Sequence, residues 1–307
     1  MRQFAGERGL KLNEYGLYDG KIAKPMGTEA EVFSALGLAF IPPELREDLG
    51  EMEWAQTRTL PPLIAFDNLR GTLHVHTRFS DGTASLAEMA EAAQQRGWQW
   101  LGITDHSRSS TIAGGMSVEK VFEQHGAIDR LNSQLRPFRL LKGIECDLLA
   151  DGTLDYPPEV LETFDFVLVS AHSHLGHSSE EMTRRFLRAI ANPHCDILGH
   201  LSGRILLDRP ASEFDADAVL NACCERQVAV EINSNPHRLD LDWRLVRRFR
   251  ASGLRFLLSP DAHSPEGLDD IHYGVSMARK GALVPSVILN TLTADEFLQW
   301  IRQRRSR

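Results

Sequence analysis

The chain has 307 residues, 42% of them hydrophobic and 25% charged, which suits one large folded domain with an appendage or two ordinary domains and gives no indication of disorder. A formal net charge of −8 argues against a wide basic face that grips nucleic acid, yet it leaves a nucleic-acid substrate open, because carboxylates that hold cations make a chain look more acidic than its working site. No apolar run approaches the roughly 20 residues needed to cross a bilayer, and Met1–Glu7 lacks the apolar core of a signal peptide, so the default expectation is a cytoplasmic protein with no membrane partner.

Residues 1–66 differ in character from the rest. Lys11–Gly20 reads as a strand or hairpin, Thr28-Glu29-Ala30-Glu31 as a capping box opening a helix through Leu36, and Ile41-Pro42-Pro43-Glu44 as a break. A small α+β segment is expected there, with Thr59–Leu63 as linker to a second domain over 67–307. From Leu69 onward short apolar strands alternate with amphipathic helices. The strands are expected at 71–76, 99–104, 139–145, 165–171, 196–200, 228–233 and 255–260. The helices fall near 85–97, 117–135, 179–192, 215–226, 242–253, 266–280 and 293–304. Seven alternations point to an α/β fold, a distorted (β/α)7 TIM-like barrel. The dinucleotide-binding alternative is weakened because no Gly-x-Gly-x-x-Gly turn follows the first strand.

The first strand carries His74-Val75-His76, followed by Ser80-Asp81-Gly82. Residues two apart on a strand share a face, so the two imidazoles could serve one ion, or could be ordinary core histidines. Recurrence favours the ion. The second strand ends Thr104-Asp105-His106, the third Gly143-Ile144-Glu145, the fourth Ser170-Ala171-His172-Ser173-His174. The fifth ends Gly199-His200, the sixth Glu231-Ile232-Asn233, and the seventh Asp261-Ala262-His263. Barrel enzymes place their chemistry at these strand ends. Six histidines (74, 76, 106, 172, 200, 263) with Asp81, Glu145 and Asp261 exceed one ion, and mixed imidazole and carboxylate donors suit zinc, manganese or iron. Two to three divalent ions are therefore expected. His125, His174, His177, His194, His237 and His272 read as surface or supporting residues. Cys146, Cys195, Cys223 and Cys224 have no Cys-x-x-Cys spacing and read as free thiols of a reduced compartment.

This order of motifs, over about 69–285, resembles the PHP family, the polymerase and histidinol phosphatase domain. Asn233–Asp242, Asp261–Leu268 and Tyr273-Gly274-Val275 look like the version at the C-terminus of bacterial family X DNA polymerases. Residues 9–48, with Gly9–Leu17 and the Ile41–Arg46 turn, resemble the last part of that polymerase's thumb. The palm carboxylates have no counterpart, so polymerase activity is not expected. Position by position, the resemblance implies a trinuclear site. His74, His76, Glu145 and Asp261 would hold one ion, Glu145, His172 and His200 a second, and Asp81, His106 and His263 a third. One departure is His200-Leu201-Ser202-Gly203-Arg204, where the polymerase-linked domains usually read His-Pro-Thr-Gly-Arg.

The chemistry expected is phosphoester hydrolysis by a metal-bridging hydroxide, with Glu145 and Asp261 at its centre. Arg204 is the candidate phosphate clamp, or else a salt-bridged surface arginine. Asp105 either orients the His106 imidazole or points away. Three readings compete. The first is a 3′-5′ exonuclease or 3′-phosphatase acting on DNA ends in repair; the second is a small-molecule phosphatase of the histidinol-phosphate or nucleotide type. The third is a non-catalytic metal-stabilised module docking on a polymerase or repair partner. Oligomeric state is not legible.

Overall fold

The computed structural model describes residues 1–306 and divides into two compact units, Met1–Pro62 and the chain from Leu63 on. In the first unit, α1 (Arg2–Gly6) precedes an antiparallel sheet of β1 (Leu10–Asn13), β2 (Gly16–Asp19) and β3 (Ile22–Lys24). The β1–β2 turn forms because the Asn13 side-chain oxygen accepts from the backbone N–H of Tyr15 and Gly16, at 3.0 and 3.2 Å, and Gly16 takes a φ of 141°. Helices α2 (Glu29–Ala35) and α3 (Glu51–Thr57) follow. Thr28 caps α2 through the Glu31 N–H as expected, but the Glu31 carboxylate accepts from Gly27 N–H at 2.7 Å, so the reciprocal bond lands one residue early. Leu17, Phe33, Leu36 and Leu45 are buried in this unit.

The second unit alternates as the sequence pattern predicts. Its elements run β4 (Gly71–Thr72), α4 (Leu86–Gln95), β5 (Trp100–Ile103), α5 (Val118–Asn132), β6 (Arg139–Asp147), α6 (Pro158–Leu161), β7 (Phe166–Ser170), α7 (Ser179–Ile190) and β8 (Ile197–Leu198). Then come α8 (Ala216–Arg226), β9 (Ala229–Asn233), α9 (Trp243–Phe249), β10 (Phe256–Ser259), α10 (Ile271–Lys280) and α11 (Ala294–Arg305). All neighbouring strands pair in parallel, in the order β10-β9-β8-β7-β6-β5-β4. The sheet closes into a (β/α)7 barrel between its ends. His76 N–H donates to Ala262 O at 2.9 Å, and Ala262 N–H to His74 O at 3.1 Å. Deeper in that seam the Asn290 side chain replaces a missing ladder. Its Oδ1 accepts from Leu258 N–H at 2.7 Å, while its Nδ2 donates to Gly71 O at 3.0 Å and Leu258 O at 2.8 Å.

Two apolar layers hold this barrel. Outward-facing strand residues pack with the surrounding helices, while Leu73, Trp100, Leu141, Phe166, Leu168, Ile197 and Leu257 fill the interior. Most of these lie near the strand starts, where α11 plugs the barrel with Phe297, Leu298 and Ile301. Phe297 stacks on Trp100 at 5.2 Å between ring centroids. Glycine makes room for the filler. A Cβ on Gly143 would sit 2.2 Å from the Phe166 ring, and one on Gly102 would sit 2.7 Å from it.

Two strands are shorter than their sequence pattern suggests. The run 71–76 keeps strand form only at Gly71–Thr72 because His74 adopts φ 65°, and 196–200 only at Ile197–Leu198. The stretch 266–280 begins as a 3-10 turn, Glu266–Asp270, before α10.

Candidate metal centre

The opposite end of the barrel is polar. Glu145, near the end of β6 and 1% exposed, is the hub. Five imidazoles face its carboxylate: His200 Nε2 at 2.9 Å, His106 Nδ1 at 3.0 Å, His74 Nε2 and His172 Nε2 both at 3.2 Å, and His76 Nε2 at 3.6 Å. Asp261 lies 3.3 Å from His76 Nε2 and 3.5 Å from His74 Nε2. Asp81 stands between His76 Nδ1, His106 Nε2 and His263 Nε2 at 3.7, 3.6 and 3.4 Å. All nine residues singled out from the sequence thus converge.

Their donor atoms form overlapping groups, and the expected Asp81, His106 and His263 set and the His74, His76 and Glu145 set each fall within one of them. Donor atoms cluster as His76, Asp81, His106 and His263; as His74, His200 and Asp261; as His74, His76 and Glu145; and as His106, Glu145 and His172. His76 therefore borders the Asp81 group as well as Glu145, and His200 reaches both Glu145 and the Asp261 side. The pair His74 and His76 does not share a face by strand alternation. His74 is left-handed at φ 65° and Asp261 at φ 53°, a conformation sparsely populated by non-glycine residues and common where a site over-determines the backbone.

The charges hold one another. Burial opposes ionisation of Glu145, but His74, His172 and His106 outweigh it and keep its carboxyl well below the usual range. Asp261 is lowered similarly, against burial, by His74 and His76. Burial also opposes charge on His172, yet Glu145 and Asp147 raise it to about 10. His76, desolvated and beside the His106 and His263 imidazoles, falls to about 3. Several buried polar atoms have no hydrogen-bond partner: His74 Nε2, both His76 nitrogens, His106 Nδ1, His200 Nδ1 and Glu145 Oε2. Buried polar atoms rarely stay unsatisfied in a folded chain, and divalent cations fit this imidazole and carboxylate set.

Carboxylates behind the imidazoles set their orientation. Glu231, fully buried on β9, bonds His74 Nδ1, accepts from the His200 backbone N–H and takes the Ser259 hydroxyl. Asp147 bonds His172 Nδ1 and accepts from Ser109 and Ser110 hydroxyls at 2.5 and 2.9 Å. Such partners fix the tautomer, so that the other ring nitrogen faces the site. Period-two alternation along β6 puts Asp147 on the face of Glu145, so the sequence itself carries the signal for this residue, whereas Glu231 reads only as a strand-end acid.

Geometry places two residues whose roles the sequence left open. Asp105 does not orient His106; it accepts from Thr77 N–H and Oγ1 at 2.8 and 2.7 Å, Ser80 Oγ at 2.5 Å and Gln124 Nε2 at 2.6 Å, and so fixes the loop carrying Asp81. The reason is strand alternation, which turns it away from the His106 side. Arg204 is not among the residues lining the cavity over the cluster. Its guanidinium bonds the carbonyl oxygens of Arg238 and Leu239 and pairs with Asp242 at 3.5 Å. Arg238 takes the cavity position, its Nε donating to Asp261 Oδ2 at 3.1 Å while Nη1 has no partner. Of the remaining histidines none joins the cluster, and His125 and His194 are buried rather than at the surface.

The cavity measures about 450 Å³ and is lined by Asp81, His106, Glu145, Asp147, His172, Ser173, His200, Arg238, Asp261, His263 and residues 109–113. Among the described residues no helix is long and apolar enough to cross a membrane.

A family model described as the PHP domain matches residues 72–235, and one described as the DNA polymerase beta thumb matches 1–47. A DNA polymerase/3′-5′ exonuclease PolX of Bacillus subtilis (strain 168) is 39% identical over 306 residues, covering 99% of this chain and 53% of the relative. The chain thus spans about half the length of that protein. A probable phosphatase of Caldanaerobacter subterraneus subsp. tengcongensis is 25% identical over 245 residues, 76% of this chain and 91% of the relative. Among solved structures, histidinol phosphate phosphatase from Lactococcus lactis, complexed with zinc, L-histidinol and phosphate, aligns with a TM-score of 0.49 at 17% identity, covering 70% of this chain and 94% of that one. With a family model spanning more than half of its residues, the chain belongs to the PHP domain family and is a metal-dependent hydrolase of phosphoester bonds.

Proposed function

We propose that this chain hydrolyses phosphoester bonds at DNA 3′ ends, as a 3′-5′ exonuclease or 3′-phosphatase. The observation that carries the DNA substrate is the identity of 39% running through both the thumb-like segment and the barrel of the PolX relative. The thumb-like residues accompany the barrel in that relative, which favours the DNA reading over a free small-molecule phosphatase.

We assign the metal-holding role to His74, His76, Asp81, His106, Glu145, His172, His200, Asp261 and His263, with zinc, manganese or iron as the ions. Bound there, two or three divalent ions supply Lewis acidity toward a phosphoryl oxygen and lower the pKa of water toward neutrality. Glu145 serves as the shared carboxylate because its two oxygens face opposite groups of imidazoles. Glu231 and Asp147 keep His74 and His172 in the tautomer that presents Nε2 to the site. Arg238, rather than Arg204, offers the phosphate clamp: Asp261 anchors its Nε and leaves Nη1 to donate to a phosphate oxygen.

The test uses the full chain with Mn²⁺ or Zn²⁺ and three substrates: a labelled single strand, a strand bearing a 3′-phosphate, and histidinol phosphate. Shortening of the strand or loss of the 3′-phosphate, abolished in the double variant His74→Ala with Asp261→Ala, is the expected result. Turnover of histidinol phosphate alone removes the DNA reading in favour of the small-molecule one.

A further inference from the structure

We infer that residues 109–113 form the wall against which the sugar and base of a nucleotide lie while its phosphate occupies the metal centre, with Ile112 as the apolar contact. The inference rests on the phosphoester reading of the same cavity and names the substrate class that fills the rest of it. A cavity of about 450 Å³ is in the range that holds a drug-sized ligand, far more than one phosphate requires. One side of it is the imidazole and carboxylate cluster. The other side is Ser109, Ser110, Thr111, Ile112 and Ala113, five uncharged residues that combine hydroxyls with apolar surface.

That wall is built rather than loose. Ser107 N–H donates to Glu145 O at 3.0 Å, Met116 N–H to His106 O at 2.9 Å, and Gly115 N–H to Ser110 O at 3.0 Å, so both ends of the loop are stitched to ligand-bearing strands. The Thr111–Ala113 turn is closed by Gly114 at φ 67°. Gly115 tolerates no side chain, since a Cβ there would lie 2.0 Å from Ser107 O. Asp147 completes the register: one oxygen holds His172 Nδ1, the other the hydroxyls of Ser109 and Ser110. The wall and a metal-facing imidazole therefore share one carboxylate.

On this fixed frame Ile112 stands fully exposed. Its apolar surface is covered by nothing within the chain, and it borders the cavity that receives the phosphate. An apolar side chain beside hydroxyls suits the face of a base and the edge of a deoxyribose. Contact of this kind is indifferent to which base is presented.

Calorimetric titration of thymidine 5′-monophosphate and of inorganic phosphate into the Mn²⁺-loaded full chain tests the wall. The wild type is expected to bind the nucleotide about tenfold more tightly than phosphate, a preference that Ile112→Ser reduces about fivefold and Ile112→Phe retains. Because Ile112 is exposed, Ile112→Ser should keep the wild-type melting midpoint. Equal wild-type affinity for the two ligands, or an Ile112→Ser variant with undiminished preference, overturns the inference. Shortening of the labelled strand is scored separately. An Ile112-dependent nucleotide preference with neither strand shortening nor loss of a 3′-phosphate removes the DNA reading and keeps the wall; either of those activities without the preference removes the wall and keeps the DNA reading.

Discussion

The two ends of the barrel use the same seven strands for opposite purposes. At the strand starts, Trp100, Phe166, Leu141 and Leu257 interdigitate under the plug of α11, and glycines at 102 and 143 are shaped around the Phe166 ring. At the strand ends, buried imidazoles and carboxylates crowd one another, two backbones are left-handed, and several ring nitrogens lack partners. Close packing is what stability alone would select throughout. Buried, partly unsatisfied charge is tolerated where a ligand completes it, and the packed end supplies the rigidity that holds it in place.

Variants at either end can break this contrast. The largest effect is expected from His74→Ala or Asp261→Ala, which should lower hydrolysis on the order of a thousandfold or more and deplete bound metal measured by emission spectroscopy. Retention of both activity and metal would falsify the site. At the packed end, Phe166→Ala should cost about 3–5 kcal/mol in denaturant unfolding while leaving metal stoichiometry intact in the folded fraction. Loss of metal at constant stability would instead mean that the two ends are not separable. Glu231→Gln should reduce metal affinity or turnover about 10–100-fold with far-ultraviolet circular dichroism unchanged, because it removes the charge behind His74 but not the shape.

The smallest effect concerns a buried imidazole remote from the cluster. His125 packs edge-on against Phe164 at 4.9 Å, and burial, then Lys142, lowers its pKa to about 4. Its folded-state pKa lies below that of the unfolded chain, so unfolding takes up a proton between about pH 6.5 and 4. Stability from this group is present above pH 6.5 and is lost as pH falls through that window, by about 1–2 kcal/mol. His125→Phe should flatten the unfolding midpoint across it, and an unchanged pH slope would show that the loss comes from the cluster instead.

The barrel was legible from the alternation of apolar runs and amphipathic helices, because strand burial and helix periodicity are local properties. The convergence of the nine residues was legible as strand-end position, since a closed parallel barrel brings all those ends to one rim. The overlap of the donor groups was not. It depends on side-chain reach across the barrel, and on the left-handed turns at His74 and Asp261 that no pattern of residue types announces.

Arg204 and Arg238 show the same limit at the cavity mouth. In the sequence Arg204 follows the strand-end residue His200 closely and Arg238 lies in a longer loop, yet the loop folds back so that Arg238 reaches Asp261 while Arg204 braces its backbone. Asp105 sits beside His106 in sequence and serves Thr77, Ser80 and Gln124 in space. By itself the sequence determined which elements form and which residues crowd the strand ends, because hydrophobic periodicity and residue chemistry act over a few neighbours. Only the tertiary structure decided which carboxylate stands behind which imidazole, which arginine faces the cavity, and that Ile112 is left bare at its edge, because those depend on chain segments meeting across the barrel.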